Sequence, residues 1–160
     1  MAVEILEVKK ESCPAARLIG KKYKGNVNWG EWWANNWFET LEQMQSLSFN
    51  GDAYIGAVHI AGGMPEYWIG MFFPENTEAP EGFEYVDIEP LYYAVCYLYD
   101  KENSGEFYTM ERHNKCLEKI KEFGFQRKED DWCFERYNCP RFTTSDEKGN
   151  VILDYGIAII

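Results

Sequence analysis

The 160-residue chain is short of positive charge: 16 lysines and arginines stand against 27 acids, a formal net charge of −11. Such a surface repels phosphate backbones, so direct nucleic-acid binding is not expected, and neutral or cationic partners are favoured. The chain has no CxxC pair, and its five cysteines (13, 96, 116, 133 and 139) are an odd set. Together with two histidines, His59 and His113, they lack zinc-site spacing, and no axial-ligand motif points to haem. No metal or other cofactor is expected. No apolar run approaches the ~18 residues a membrane span needs, and no signal-peptide pattern precedes the first strand. Reduced thiols and a cytoplasmic, membrane-free protein are the expectation.

Aromatics, by contrast, are plentiful: 17% of the chain, with eleven tyrosines, ten phenylalanines and six tryptophans. That exceeds what one core of this size uses, and points to a ligand-facing aromatic surface. Hydrophobic content of 46% is enough for a packed fold. The length suits a single domain spanning 1–160.

Periodicity orders the elements. Val3 to Lys9 alternates as a strand, Ser12-Cys13-Pro14 breaks it, and Ala15 to Tyr23 resumes as a second. Asn28-Trp29-Gly30-Glu31 has capping-box spacing. The helix expected after it carries a stripe of Trp33, Trp37, Leu41, Met44 and Leu47 or Ser48, and ends at Asn50-Gly51. Strands Ala53 to Ile60 and Tyr67 to Phe73 follow, joined by a loop from Ala61 to Pro65. Glu75 to Glu84 and Lys128 to Asp131 read as solvated loops. Leu91 to Tyr99 is a strand, and Asn103-Ser104-Gly105-Glu106 is a second Asn-led box. It opens a helix striped by Phe107, Met110, Leu117, Ile120 and Phe123, with Gly124 as its C-cap. Strands Trp132 to Asn138 and Val151 to Ile160 complete the chain.

Strand, helix, strand, strand thus occurs twice, about 3–74 and about 83–160, with Ala15 answering to Leu91, Asp52 to Trp132 and Tyr67 to Ile152. Two such units bury their open faces against each other and leave a pseudo-twofold cleft. The expected fold is α+β: duplicated β-α-β-β units with two helices and a cleft between the halves.

Within Trp132-Cys133-Phe134-Glu135-Arg136-Tyr137, alternation puts Glu135 on one face with Cys133 and Tyr137. An acid there either meets water, paired with Arg136 or a lysine, or enters an aromatic space where an unpaired charge is costly. In such a space it neutralises with a raised pKa or meets a cation. Trp33 reads as core, and Trp29 and Trp32 as a lid or a staple at the helix start. Tyr67 and Trp68 point to opposite faces, Tyr155 is a further candidate, and His113 is assigned no role.

Tyr67-Trp68-Ile69-Gly70-Met71, Gly82-Phe83-Glu84, Ile88-Glu89-Pro90, Tyr93-Ala94-Val95-Cys96 and Phe134-Glu135-Arg136-Tyr137, in that order, resemble the GyrI-like small-molecule-binding domain. That family also supplies effector-binding domains of AraC- and MerR-type regulators. The resemblance runs from about Val3 to Ile160 and implies an open, barrel-like antiparallel sheet and, since no helix-turn-helix precedes the first strand, a stand-alone form. It places the family's pocket glutamate on Glu135, its helix tryptophan on Trp37 and its aromatic pocket strand on Tyr67 and Trp68. Tyr93, of the Tyr92–Tyr93 pair, is the further candidate, the bulge pattern deciding between the two. The implied function is binding of aromatic or cationic small molecules as a sequestrant or sensor.

One other function would use these same residues, and another the exposed acids instead. Some stand-alone members of the family resemble hydrolases that open a strained cyclopropane. There Glu135 would serve as general base and Tyr137 or Tyr67 as proton donor. An inhibitor that offers its acidic surface to a protein partner is the third possibility.

Overall fold

A computed structural model of the protein describes residues 3–44, 53–137 and 139–160. The expected Leu47 or Ser48 stripe position, the Asn50-Gly51 turn, Asp52 and Asn138 lie outside the described residues.

Strand β1 (Glu4–Cys13) ends at Pro14, which cannot donate to a ladder, and β2 (Ala16–Tyr23) follows. Two short helices, α1 (Trp29–Ala34) and α2 (Trp37–Glu42), precede β3 (Tyr54–Ala61) and β4 (Met64–Pro74). The second half runs β5 (Glu84–Ile88), β6 (Leu91–Lys101), a 3-10 turn (Gly105–Tyr108), α3 (Met110–Glu122), β7 (Cys133–Tyr137), α4 (Pro140–Thr143) and β8 (Asn150–Ile159). The β3–β4 connection is tighter than expected. Gly62 and Gly63, both at positive φ (60° and 81°), form a two-residue hairpin turn in the conformation that suits glycine.

The strands form one antiparallel sheet in the order β1-β6-β8-β7-β3-β4-β2-β5. Exchange each strand of one half for its counterpart in the other, and the same order reads backwards. The expected duplication is therefore present in the sheet, with a pseudo-twofold axis between β7 and β3. Edge strands β1 and β5 each pair with a strand of the opposite half, β6 and β2, which ties the halves together while leaving the sheet open. The register pairs Gly56 with Glu135, and an axis through that pair, which also superposes the starts of β4 and β8, makes the two positions each other's symmetry equivalents. Likewise Gly70 corresponds to Gly156, since Ile55 pairs with the first and Phe134 with the second.

Strand alternation divides the interior into layers. One face of the sheet curves onto its own core, where Leu18, Ile55, Trp68, Phe72, Tyr93 and Phe134 meet. The other face carries the helices. Under α1 and α2, Trp32, Phe38 and Leu41 pack on Ile19, Ile69 and Met71. Under α3, Cys116 and Ile120 pack on Cys96, Leu153 and Ile157. The helices cover the two flanks, and the central pair β3–β7 lies between them.

The single helix expected after Asn28 is instead two. The Asn28 side chain does accept the Glu31 amide at 3.2 Å, as the capping box requires. Seven residues later Asn35 caps α1, and Asn36 takes the left-handed conformation at φ 54°, which breaks the axis before α2. The second Asn-led box also shifts. Asn103 turns the chain at φ 65°, Ser104 accepts the Glu106 amide to start the 3-10 turn, and Thr109 accepts the Arg112 amide to cap α3. Gly124 follows α3 at φ 83°, the left-handed position expected of it. Strand β5 was not expected. Its residues are mostly exposed, so it carries no apolar alternation to read.

Candidate functional site

Over the uncovered centre of the sheet lies a cavity of about 930 Å³, within the range of drug-sized ligand sites. Its floor is the helix-bearing face of β3 and β7: Tyr54, Gly56 and Val58 beside Cys133, Glu135 and Tyr137. Trp29 and Trp33 of α1 form one wall, and Tyr108 and Arg112 with Tyr155 of β8 form the other. Lined in this way, the space is overwhelmingly apolar, with flat aromatic surfaces on both sides.

Glu135 stands at the centre, its side chain 20% exposed. Tyr137 donates its hydroxyl to Oε1 at 2.9 Å, and Arg112 Nη2 reaches Oε2 at 3.4 Å. The Tyr108 hydroxyl in turn hydrogen-bonds that of Tyr137. Burial raises the Glu135 pKa above its ordinary value, opposed by the Arg112 charge and by the hydrogen bonds from Tyr137 and Arg112. Burial and the adjacent carboxylate push the Tyr137 hydroxyl well upward, so it remains a donor. Behind this layer, the Tyr155 hydroxyl contacts His113 Nδ1 at 2.7 Å. Burial lowers the His113 pKa, which favours its neutral form.

Room for the carboxylate comes from its symmetry mate. A Cβ at Gly56 would stand 3.1 Å from Glu135 Oε1 and 3.2 Å from the Trp29 ring. Trp29 closes over this gap, edge-on to Tyr137 with ring centroids 5.1 Å apart.

The expected face-sharing of Cys133, Glu135 and Tyr137 holds, and Tyr155 and Tyr67 border the same cavity. Glu135 is paired not with Arg136 or a lysine but with Arg112; Arg136 lies on the opposite face with Asp154 and Glu11. Trp68 also borders the cavity, yet its ring is buried in the opposite core and donates to Glu66 at 3.1 Å.

Two candidates lie elsewhere. Trp37 packs edge-on against Trp32 and Phe83, with Lys21 Nζ 4.5 Å above its ring, because the break at Asn36 turns α2 away from the cleft. Trp33, expected in the core, is 56% exposed and takes the cleft wall instead. The fully buried member is Trp32, whose indole donates to Tyr23 at 3.1 Å. Tyr93 packs edge-on against Phe134 in the sheet's own core, and Tyr92 lies at the exposed strand end, so neither borders the cavity. His59 stacks on Trp132 at 3.9 Å, outside the cleft.

Arg112 was missed. Its signal was present in the sequence: Arg112, Cys116 and Ile120 fall at steps of four on the buried face of α3. A base in that row calls for an acid on the sheet beneath.

No protein-family model matches the chain, and no curated protein does. Solved structures do match over essentially the full length. SAV2435, solved with tetraphenylphosphonium bound, aligns at TM-score 0.61 and 14% identity, covering 97% of this chain and 94% of that one. The C-terminal domain of EcmrR aligns at 0.61 and 7% identity, covering 100% and 99%. A transcription regulation protein from Staphylococcus aureus MU50 aligns at 0.57 and 12%, covering 96% and 97%. At these identities the likeness is one of fold, and this chain shares the fold of all three.

Proposed function

We propose that this protein binds aromatic, cationic small molecules in the cleft over β3 and β7, as a domain of the GyrI-like type. One observation carries the reading: a mostly buried carboxylate, Glu135, stands at the centre of an aromatic-walled cavity of about 930 Å³. A lipophilic cation satisfies that carboxylate while its rings lie against Trp29, Trp33, Tyr67 and Tyr155. Each favourable cation–π contact is worth about 0.5–2 kcal/mol, and stacking tolerates many ligand shapes. The fold shared with SAV2435, a protein solved with tetraphenylphosphonium, supports the same reading. All five cysteines are free thiols, which supports a reducing, cytoplasmic setting.

The test is a tryptophan-fluorescence titration with a permanently charged rhodamine ester, on the wild type and on Glu135→Gln. Saturable quenching that weakens at least tenfold in the variant is expected. An absence of saturable quenching in the wild type would overturn the proposal.

A hydrolase acting on electrophilic ring systems is the second reading, favoured by the raised pKa of Glu135, which suits a general base, and by the Tyr137 donor beside it. Product analysis after incubation with a cyclopropane-containing electrophile separates it from binding. Turnover that Glu135→Gln abolishes would establish it, and unchanged starting material would remove it.

A further inference from the structure

Among the described residues the cavity lining contains one acid and one base, Glu135 and Arg112, and they face each other. Arg112 is 8% exposed, held on the inner face of α3 between the Thr109 cap and the packed Cys116. Its guanidinium lies over the face of Tyr155, 3.8 Å from the ring centroid. Nη2 contacts Glu135 at 3.4 Å, the long end for a hydrogen bond, while Nε and Nη1 have no hydrogen-bond partner among the described residues. A forked donor thus sits beside the cleft with most of its capacity unused.

The electrostatic consequence differs from that of a lone buried glutamate. With both groups charged, the lining formed by the described residues is neutral. A ligand that brings only a positive charge sets two cations against one carboxylate. A ligand that brings a cation and an anion can exchange both partners: its cation replaces Arg112 at Glu135, and its anion takes the released guanidinium fork. Neither buried protein charge is then left unpaired.

Building on the binding function proposed above, we infer that Arg112 makes the cleft selective for zwitterionic aromatic ligands, those carrying a carboxylate or similar anion beside their cationic group, over purely cationic ones. Glu135 and the tryptophans hold the charged ring system, and Arg112 reads the second group. The long Glu135–Arg112 contact is the exchangeable element.

A matched pair of dyes tests this: a rhodamine with a free carboxylate and its ethyl ester, which share one cationic ring system and differ in the anion. Tryptophan quenching at pH 8 is measured for the wild type, Arg112→Met and Arg112→Lys, with each variant's fold checked by circular dichroism. The wild type is expected to bind the free acid at least tenfold more tightly than the ester. Arg112→Met should reverse that order, weakening the acid and tightening the ester. Arg112→Lys keeps the charge without the fork and should leave a smaller preference for the acid. If Arg112→Met fails to fold, the lysine variant decides: an acid-to-ester ratio equal to the wild type's would overturn the role of the fork. Saturable binding of both dyes with no preference for the acid would overturn this inference and leave the binding function standing. Saturable binding of neither dye would overturn both.

Discussion

The two halves of the sheet are the same frame used for opposite ends. At the pair of positions flanking the pseudo-twofold axis, the first half has Gly56 and the second Glu135. One strand further out, the equivalent positions are Ile69 and Tyr155, paired with Gly56 and Glu135 respectively. The helix over the first half presents Trp29 and Trp33, and the helix over the second presents Arg112. One half is a wall and the other is a polar centre. Side chains on both strands would be crowded, since a Cβ at position 56 comes within 3.1 Å of the Glu135 carboxylate and one of the two would have to give. Two carboxylates in that contact would repel and force one to stay protonated. Duplication supplied two equivalent places, and one of them carries the charge.

The largest contrast should appear at the twin glycines. A Cβ at Gly70 would meet the Ile19 carbonyl oxygen at 2.2 Å, a backbone atom held in the ladder, whereas at Gly156 it would meet the Phe134 ring at 2.5 Å. Gly70→Ala is expected to destabilise by about 3 kcal/mol or more and Gly156→Ala by about 1–3 kcal/mol, because a ring can shift and a ladder cannot. Urea unfolding measures both, and equal losses would show that the halves are equally rigid there.

A smaller effect is expected from filling the gap at the axis. Gly56→Ala crowds Glu135 and Trp29 together and should weaken binding of an aromatic cation about tenfold, roughly 1.4 kcal/mol, by fluorescence titration. Unchanged affinity would mean that neither group has to hold its position.

Next come the two tryptophans on either side of the helix break. Trp33→Ala should reduce affinity by about 0.5–1.5 kcal/mol with little change in stability. Trp37→Ala, removed from the cleft, should do the reverse. Finding the losses exchanged would return Trp37 to the site.

The finest distinction is in pH. The Glu135 pKa is raised above that of a free carboxylate, chiefly by burial. Around it stand Arg112 on α3, Tyr137 on β7, Tyr155 on β8 and Tyr108 beside α3; the tyrosines facing it have pKa values raised above the ordinary range and stay protonated. Affinity for a permanent cation should therefore be complete above the raised Glu135 pKa and fall as pH drops through it. The stability linkage has the opposite sign. Protonated Glu135 is the form that folding favours, so its contribution is present below the unfolded pKa and lost as pH rises through the folded one. Glu135→Gln should flatten both profiles, as followed by titration and by thermal unfolding across pH.

Much of the sheet was legible because alternation is a direct consequence of strand geometry. The shared face of Cys133, Glu135 and Tyr137 needed no tertiary information, and the repeat order carried the pseudo-twofold with it. What escaped was decided by single residues acting against a pattern. Asn36 at positive φ cut a helix whose apolar stripe looked continuous, and that one break exchanged the places of Trp33 and Trp37. Tyr93 sits on the face of β6 that turns toward Phe134, a side that local sequence does not label as core or cleft. Arg112 is hidden by the apolar stripe of α3, which runs through Met110 and Phe123, both exposed, while the buried row contains the arginine.

The position of a bound cation is the most direct test of Glu135 as its partner. A crystal structure of the protein with a permanently charged aromatic dye should show the cationic centre within about 4–6 Å of the Glu135 carboxylate, the distance at which opposite charge favours the ionised form. The dye's rings should lie against Trp29 and Trp33. A dye bound outside the cleft, or within it but with its charge turned away from Glu135, would contradict the account.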